Sequence, residues 1–139
     1  MLENKKAFTI LEMIVVLLIV STISFVTING IREITIRSDV NNIAKLIGTK
    51  FNLGQNLAQL NNEKYELEVN KDINLKTTNR IIFHQKIKDD ITITSNFNNN
   101  TISINERGNI SRAGTIKVQK GKYVKEIVFS IGSGSYDIR

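Results

Sequence analysis

Residues 5–31 read KKAFTILEMIVVLLIVSTISFVTINGI, in which two lysines precede an apolar run that holds a single carboxylate. No residue from Met13 to Ile31 is charged. A helix of that length reaches about 30 Å at about 1.5 Å per residue, which is enough to cross a bilayer. Because the lysines lie before the run, whereas Arg32 and Glu33 cancel after it, we expect a cytoplasmic N-terminus and an exported remainder.

The position of the small residue distinguishes this segment from an ordinary secretory signal, whose cleavage site follows the apolar core. Here Ala7 stands before the core, and Phe8 opens it. This order resembles the type III signal of type IV pilins and pseudopilins. It consists of a basic leader, a small residue, Phe, and an apolar helix with Glu12 at the fifth position after the cut. Members of that family usually have Gly where this chain has Ala7.

The resemblance implies a processing route and a location. A membrane aspartyl protease, the prepilin peptidase, would cut between Ala7 and Phe8 on the cytoplasmic side, and the new Phe8 amine would be N-methylated. The apolar helix would stay in the cell membrane as a single-pass anchor until assembly. The C-terminal domain would be extracytoplasmic, and it would lie at the cell surface after assembly.

Glu12 is the residue that the resemblance assigns to filament assembly. A charge at the centre of a membrane helix costs roughly 2.5 to 3.5 kcal/mol, and less near an end, so a compensating interaction is expected. In a filament core, the N-terminal ammonium of a neighbouring subunit would neutralise the carboxylate and fix the register of the two subunits. The alternative is that Glu12 reaches the lipid headgroups from a plain anchor helix.

The helical pattern continues beyond the anchor. Ile36, Val40, Ile43, Ile47 and Phe51 recur at helical spacing, and three leucines, Leu53, Leu57 and Leu60, extend the stripe. We therefore predict a helix over 8–61, about 80 Å long, with its transmembrane part at 8–31 and an amphipathic second half that packs on a globular domain. Gly48 and Gly54 should let strands approach this helix closely, whereas Asn29-Gly30 is its weak point.

Beyond Asn61-Asn62 the apolar period changes to two, which indicates half-buried antiparallel strands. Four segments alternate: 64–69, 91–94, 101–104 and 115–118. The more apolar segments 80–83 and 126–129 are predicted to be central strands. The expected organisation is a leader at 1–7, the helix, and a β-rich domain at 62–139 with about six to eight short strands, an α+β fold.

Segments 80–84, 104–108, 113–118 and 128–134 are similar to competence minor pseudopilins of the ComGD type, in the branch that includes GspH-like and FimT-like minor subunits. The resemblance implies a structural subunit of a filament for DNA uptake in natural transformation, with other pseudopilins as partners. The same architecture also fits a minor subunit of a type II secretion system or of a type IV pilus.

No pattern in the sequence supports catalysis, a cofactor or a metal site. The chain has no Cys and a single His, His84, so neither a thiolate nor a histidine cluster can form. His84 follows Phe83 in a predicted strand and is interpreted as a packing or edge residue. Asp89-Asp90 is interpreted as a turn, because neighbours on a strand point to opposite faces.

The remaining functional signal is a local excess of positive charge. Between positions 107 and 126, six basic residues accompany one acid, Glu126: Arg107, Arg112, Lys117, Lys120, Lys122 and Lys125. Such a patch attracts phosphate backbones without reading sequence, so DNA is a possible partner and a membrane-anchored DNA-binding module is a second class of function. The alternatives are a solvated hairpin face that protects an edge strand, or contact with anionic wall polymers. Tyr123 is the one aromatic residue within the segment that could stack on a base.

Overall fold

The computed structural model describes residues 9–131 and 134–139, except for the side chains of Ile28 and Asn29. Cleavage between Ala7 and Phe8 and methylation of Phe8 fall outside these residues, so they stay predictions. The chain divides into two units with a boundary between Thr35 and Ile36. We call residues 9–35 the anchor segment and the unit from Ile36 to Arg139 the body.

One continuous α-helix, α1, runs from Ile10 to Asn61, and its two parts differ in burial. In the anchor segment, the described side chains from Ile10 to Thr27 are all exposed. In the body, the helix buries one face, and the buried apolar residues of that face are Val40, Ala44, Ile47, Phe51 and Ala58. Of the predicted stripe, Val40, Ile47 and Phe51 are buried, whereas Leu60 is 80% exposed. The predicted weak point at Gly30 is helical.

Eight strands follow within the described residues, and they form two four-stranded antiparallel sheets. The first sheet has the order β3-β2-β1-β5, and the second has the order β4-β6-β7-β8. Their bounds are β1 Tyr65–Val69, β2 Asp72–Lys76, β3 Ile81–Lys86, β4 Thr92–Ser95, β5 Thr101–Ile104, β6 Gly114–Lys120, β7 Tyr123–Phe129 and β8 Tyr136–Ile138. The predicted α+β arrangement is confirmed.

The helix packs on both sheets through its small residues and one aromatic residue. A Cβ at Gly48 would overlap the ring of Tyr136 on β8, and a Cβ at Gly54 would lie 2.9 Å from Cδ1 of Ile104 on β5. Phe51 lies between these glycines, and its ring centroid is 4.9 Å from that of Phe129 on β7. The expected close approach of strands at the two glycines is therefore confirmed.

One predicted central strand is wrong. Segment 80–83 belongs to β3, an edge strand that pairs with β2 alone among the described strands. Three consecutive apolar residues indicated burial on both faces. Instead Ile81 is 65% exposed, and Nζ of Lys50 lies 3.8 Å from the Phe83 ring centroid, so the helix covers the ring with a charged side chain. The other predicted central strand, 126–129, lies within β7, which has β6 and β8 as neighbours.

Candidate functional site

Glu12 lies in the first turn of α1, and Thr9 precedes that turn as its N-cap. The hydroxyl of Thr9 accepts a hydrogen bond from the backbone N–H of Glu12 at 3.2 Å. A Thr followed three residues later by a Glu is the sequence pattern of a capping box, and a carboxylate in a first turn is favoured by the helix dipole. The structure thus adds a local role for the Glu12 position that the sequence analysis missed.

The surroundings of Glu12 are apolar and uncovered. Ile10, Leu11 and Met13 are 81%, 72% and 59% exposed. Among the described helices, α1 is long and apolar enough to cross a membrane, judged by length and composition. An exposed apolar surface of this extent needs lipid or protein to cover it. The carboxylate of Glu12 would then be covered with the rest of that surface.

The structure distributes the six predicted basic residues over several places. Lys117 lies on the outer side of the second sheet, where its Nζ is 2.7 Å from Oε1 of its cross-strand neighbour Glu126. Lys122 lies in the β6–β7 turn, and Lys125 lies on the same side of β7 as the buried Ile127. The exposed Arg107 lies in the β5–β6 loop.

Arg112 lines an open groove of about 520 Å³ on the outer side of the first sheet. Its Nη1 donates a hydrogen bond to Oδ1 of Asn98 at 2.8 Å. The same groove is lined by Glu66, Glu68 and Lys76. Hydrogen bonding to Glu68 raises the pKa of Lys76, and the Coulombic attraction of Glu68 acts in the same direction. With two acids and two bases in its lining, the groove offers little net attraction for a phosphate backbone.

Lys120 belongs to a cluster of charges that joins three segments of the body. Its side chain is 15% exposed, and its Nζ lies 2.6 Å from Oδ2 of Asp39 on α1 and 2.7 Å from Oδ2 of Asp90 in the β3–β4 loop. Asp39 also accepts from Lys88 at 3.1 Å. Hydrogen bonds from Lys120 and then from Lys88 hold the pKa of Asp39 below its ordinary value. The hydrogen bond to Asp39, followed by that to Asp90, raises the pKa of Lys120.

Sequence reasoning missed Asp39 and Lys88, and it interpreted Asp90 only as part of a turn. That turn is present at positions 89 and 90. No spacing rule relates an acid on α1 to a lysine on β6, so this pairing has no local signal. One available signal was the odd separation of Lys117 and Lys120, which places them on opposite faces of β6.

Replacing Asp39 with Asn should lower the thermal midpoint of the body at pH 7 by several degrees, because little-exposed Lys120 would keep Asp90 as its one carboxylate partner. A carboxyl with a depressed folded-state pKa stabilises fully above its unfolded pKa, and this contribution is lost as the pH falls through the folded value. The parent should therefore lose stability below about pH 4 more steeply than Asp39→Asn. Circular dichroism melts at several pH values measure both effects.

The control is Glu126→Gln, which removes one partner of an exposed cross-strand pair whose side chains are 55% and 40% exposed. Exposed pairs contribute little, so this variant should melt close to the parent. Equal melting of Asp39→Asn and the parent at pH 7 would contradict the structural role of the Asp39 cluster.

Within residues 9–131 and 134–139, no group of three or more His, Asp or Glu side chains could hold a metal ion. His84 lies on the exposed side of β3, where its Nδ1 is 2.6 Å from Oδ1 of Asn74 on β2. It is thus an edge residue with a cross-strand partner.

No protein-family model and no curated protein matches the chain. Among solved structures, it is similar to the minor pseudopilin EpsH from the type 2 secretion system of Vibrio cholerae, with a TM-score of 0.57 and 7% sequence identity. The match covers 73% of this chain and 96% of the EpsH chain. At that identity the likeness shows the fold alone, which is the pilin-like combination of one long N-terminal helix and antiparallel sheets.

Proposed function

We propose that this chain is a minor pseudopilin, a structural subunit of a type IV pilus-like filament that takes up DNA in natural competence. The observation that carries the proposal is a pilin-like body joined to an uncovered apolar helix with one carboxylate, Glu12, in its first turn. Such a helix suits a subunit that is stored in a membrane and then buried among other subunits. The partners would be the prepilin peptidase and other pseudopilins of the same filament.

The competence assignment rests on the similarity of four segments to competence minor pseudopilins: 80–84, 104–108, 113–118 and 128–134. The fold alone does not distinguish a competence filament from a secretion system or a type IV pilus. EpsH belongs to a type 2 secretion system, so the runner-up is a minor subunit of a secretion system or of a type IV pilus. Deleting the gene separates these functions. We expect loss of transformation with protein secretion intact, whereas loss of secretion with normal transformation would support the runner-up.

A membrane-anchored DNA-binding module is the competing class of function. Lys117 and Lys120 are ion-paired, and Arg112 shares its groove with two glutamates, which weakens the idea of one continuous basic surface. Retardation of DNA by the full chain in detergent, with a steep salt dependence that Lys122→Glu and Lys125→Glu remove, would favour this class. Lys120→Glu is a poor test because it breaks the Asp39 cluster.

A further inference from the structure

The open groove that Arg112 lines is also bounded by the edge of the first sheet, and we call it the β5 groove. Its volume is about 520 Å³. Three consecutive residues of β5, Thr101, Ile102 and Ser103, line it. β5 is the last strand of its sheet and has β1 as its neighbour. A strand edge that opens into a groove presents its backbone N–H and C=O groups to whatever fills the groove.

The hydrogen bonds around β5 show which of its backbone groups face the groove. The N–H of Asn105, directly after β5, donates to the carbonyl of Asn109 at 2.9 Å, away from β1. Because backbone groups two residues apart in a strand point the same way, those of Ser103 and Thr101 also point away from β1. The Thr101 N–H donates to the carbonyl of Asn98. The Ser103 N–H and the Thr101 carbonyl have no hydrogen-bond partner among the described residues.

The chain itself covers this edge at one point. Ile110 forms an isolated bridge with Ile104 at the end of β5. Ser111 and Arg112 follow it and line the groove, but neither continues the pairing with β5. Nη1 of Arg112 instead donates to Oδ1 of Asn98 at 2.8 Å. A position for one short strand is therefore open between β5 and the segment 111–112.

The wall of the groove that precedes β5 has strained backbone. Asn99, which lines the groove, and Asn100 both have a φ of 52°. The Asn100 side chain is held in place, because it accepts from the hydroxyl of Ser95 at 3.0 Å and donates to Oδ1 of Asn70 at 2.7 Å. Backbone strain that the surrounding structure maintains is frequent where a protein clamps a ligand. The wall is thus held in one conformation before a partner arrives.

The inner side of the groove is apolar. Phe97, Ile102 and Ile110 line it and are 7%, 1% and 3% exposed. Side chains alternate between the two faces of a strand. A residue opposite Ile102 on an added strand would therefore point toward these apolar side chains, whereas its two neighbours would lie on the outer face.

The outer face beside β5 has more carboxylate than ammonium. Ser103 lies opposite Glu66 and Thr101 lies opposite Glu68. The two glutamates share one lysine, Lys76, whose Nζ is 3.9 Å from Glu66 and 3.0 Å from Glu68. Strands lie about 4.8 Å apart, so a long basic side chain on an added strand would reach these acids over the small Ser103 and Thr101.

We propose that the β5 groove binds an extended segment of a partner polypeptide, which adds to β5 as an antiparallel strand and has one apolar residue between two basic residues. The apolar residue would point inward, and the basic residues would face Glu66 and Glu68. The groove lies wholly within the body, so this binding depends neither on the anchor segment nor on the filament system.

The test titrates the blocked tripeptide acetyl-Lys-Val-Lys-amide into the isotope-labelled full chain in neutral detergent, and NMR follows the amide signal of Ser103. In the proposed pairing, the Ser103 N–H donates to the carbonyl of the first lysine, and the N–H of the second lysine donates to the Thr101 carbonyl. We expect the Ser103 signal to shift and its hydrogen exchange to slow. N-methylation of the second lysine should weaken binding about fivefold, the effect of one hydrogen bond. N-methylation of the valine, whose N–H points away from β5, is the matched control and should leave binding unchanged.

Two variants of the protein test the same contacts from the other side. Ser103→Pro removes the donor at an edge position, where proline is tolerated. Binding, followed at Thr101, should weaken about fivefold. Glu66→Gln should weaken it about twofold, as expected for an exposed ion pair. Glu126→Gln removes an acid outside the groove and should bind like the parent, and circular dichroism melts should show that the variants fold. If Ser103→Pro does not fold, the two N-methylated peptides decide with the parent protein alone.

Equal affinities of the two N-methylated peptides would overturn the proposal. Binding of acetyl-Glu-Val-Glu-amide as tight as that of the lysine peptide would overturn the assigned charge, and with it the proposed partner. A response that leaves the signals of residues 101–103 unchanged would place the peptide elsewhere. A Ser103 signal that shifts with protein concentration alone would assign this edge to a second copy of the chain, and would also overturn the proposal.

Discussion

Replacing Glu12 with Val should leave the chain in the membrane and abolish its incorporation into filaments. The carboxylate is the one charge in the apolar run, and its removal makes insertion easier because an ionised side chain in a membrane helix is costly. In an assembled filament the same carboxylate would neutralise the N-terminal ammonium of an adjoining subunit, and without it that cation would be buried unpaired. The Thr9 cap survives the change, since its hydroxyl accepts from the backbone N–H of residue 12.

The measurement compares membrane and sheared-filament fractions from cells with active prepilin peptidase. Glu12→Gln retains the shape and loses the charge, so it should fail like Glu12→Val if pairing of charges is the cause. Met13→Leu is the control within the same exposed turn and should assemble normally. Mass spectrometry should show that every variant begins at Phe8. Normal assembly of Glu12→Val would contradict pairing of the carboxylate with the N-terminal ammonium. It would favour the alternative in which Glu12 reaches the lipid headgroups.

Replacing Phe51 with Ala should lower the free energy of unfolding of the body by about 3 to 5 kcal/mol. The side chain is fully buried, and its ring makes edge contacts with Phe129 at 4.9 Å and with Tyr136 at 6.2 Å between centroids. Truncation would leave a cavity where the helix meets the second sheet. Since single domains are typically stable by about 5 to 15 kcal/mol, a large share of the stability would be lost.

Urea unfolding of the full chain in detergent, followed by tyrosine fluorescence, measures this loss, because the chain has three Tyr and no Trp. The control is Leu60→Ala, which truncates a helix residue that is 80% exposed. Its effect should stay within about 0.5 kcal/mol. If Phe51→Ala unfolds at the same urea concentration as the parent, the aromatic contacts around Phe51 contribute little to the core.

The periodic parts of the fold could be predicted from the sequence. The predicted stripe positions Val40, Ile47 and Phe51 and the alternating segments of β1, β5 and β6 each carry a local pattern that burial on one face requires. β2 and β8 were missed for different reasons. β2 begins at Asp72, directly after the bend at Asn70-Lys71 that ends β1, so its apolar alternation could not be told apart from the polar residues of that bend. β8 is short, and it depends on the contact of Tyr136 with the helix at Gly48, which the sequence does not show.

The candidate site was less predictable, because charge counting treats a segment as one surface. Lys117 and Lys120 lie on opposite faces of β6. Lys117 pairs with Glu126 on the neighbouring strand, and Lys120 pairs with Asp39 on the helix. Only the folded arrangement shows that Lys125 and Arg37 face one pocket. The sequence therefore shows how many basic residues the segment carries, and it gives no information on which acids pair with them.

The seating of Tyr136 against Gly48 also bears on export and biogenesis. The helix is synthesised first, but its aromatic contact on β8 comes from a residue far along the chain. If the body is exported as proposed, it therefore cannot close until that residue has crossed the membrane. Contacts this distant in sequence form slowly, so an exported chain would pass through an open intermediate outside the cytoplasm. Extracytoplasmic chaperones and proteases would act on the chain in that state. The yield of folded protein should therefore depend on them more than the yield of a helical protein whose contacts are mostly local.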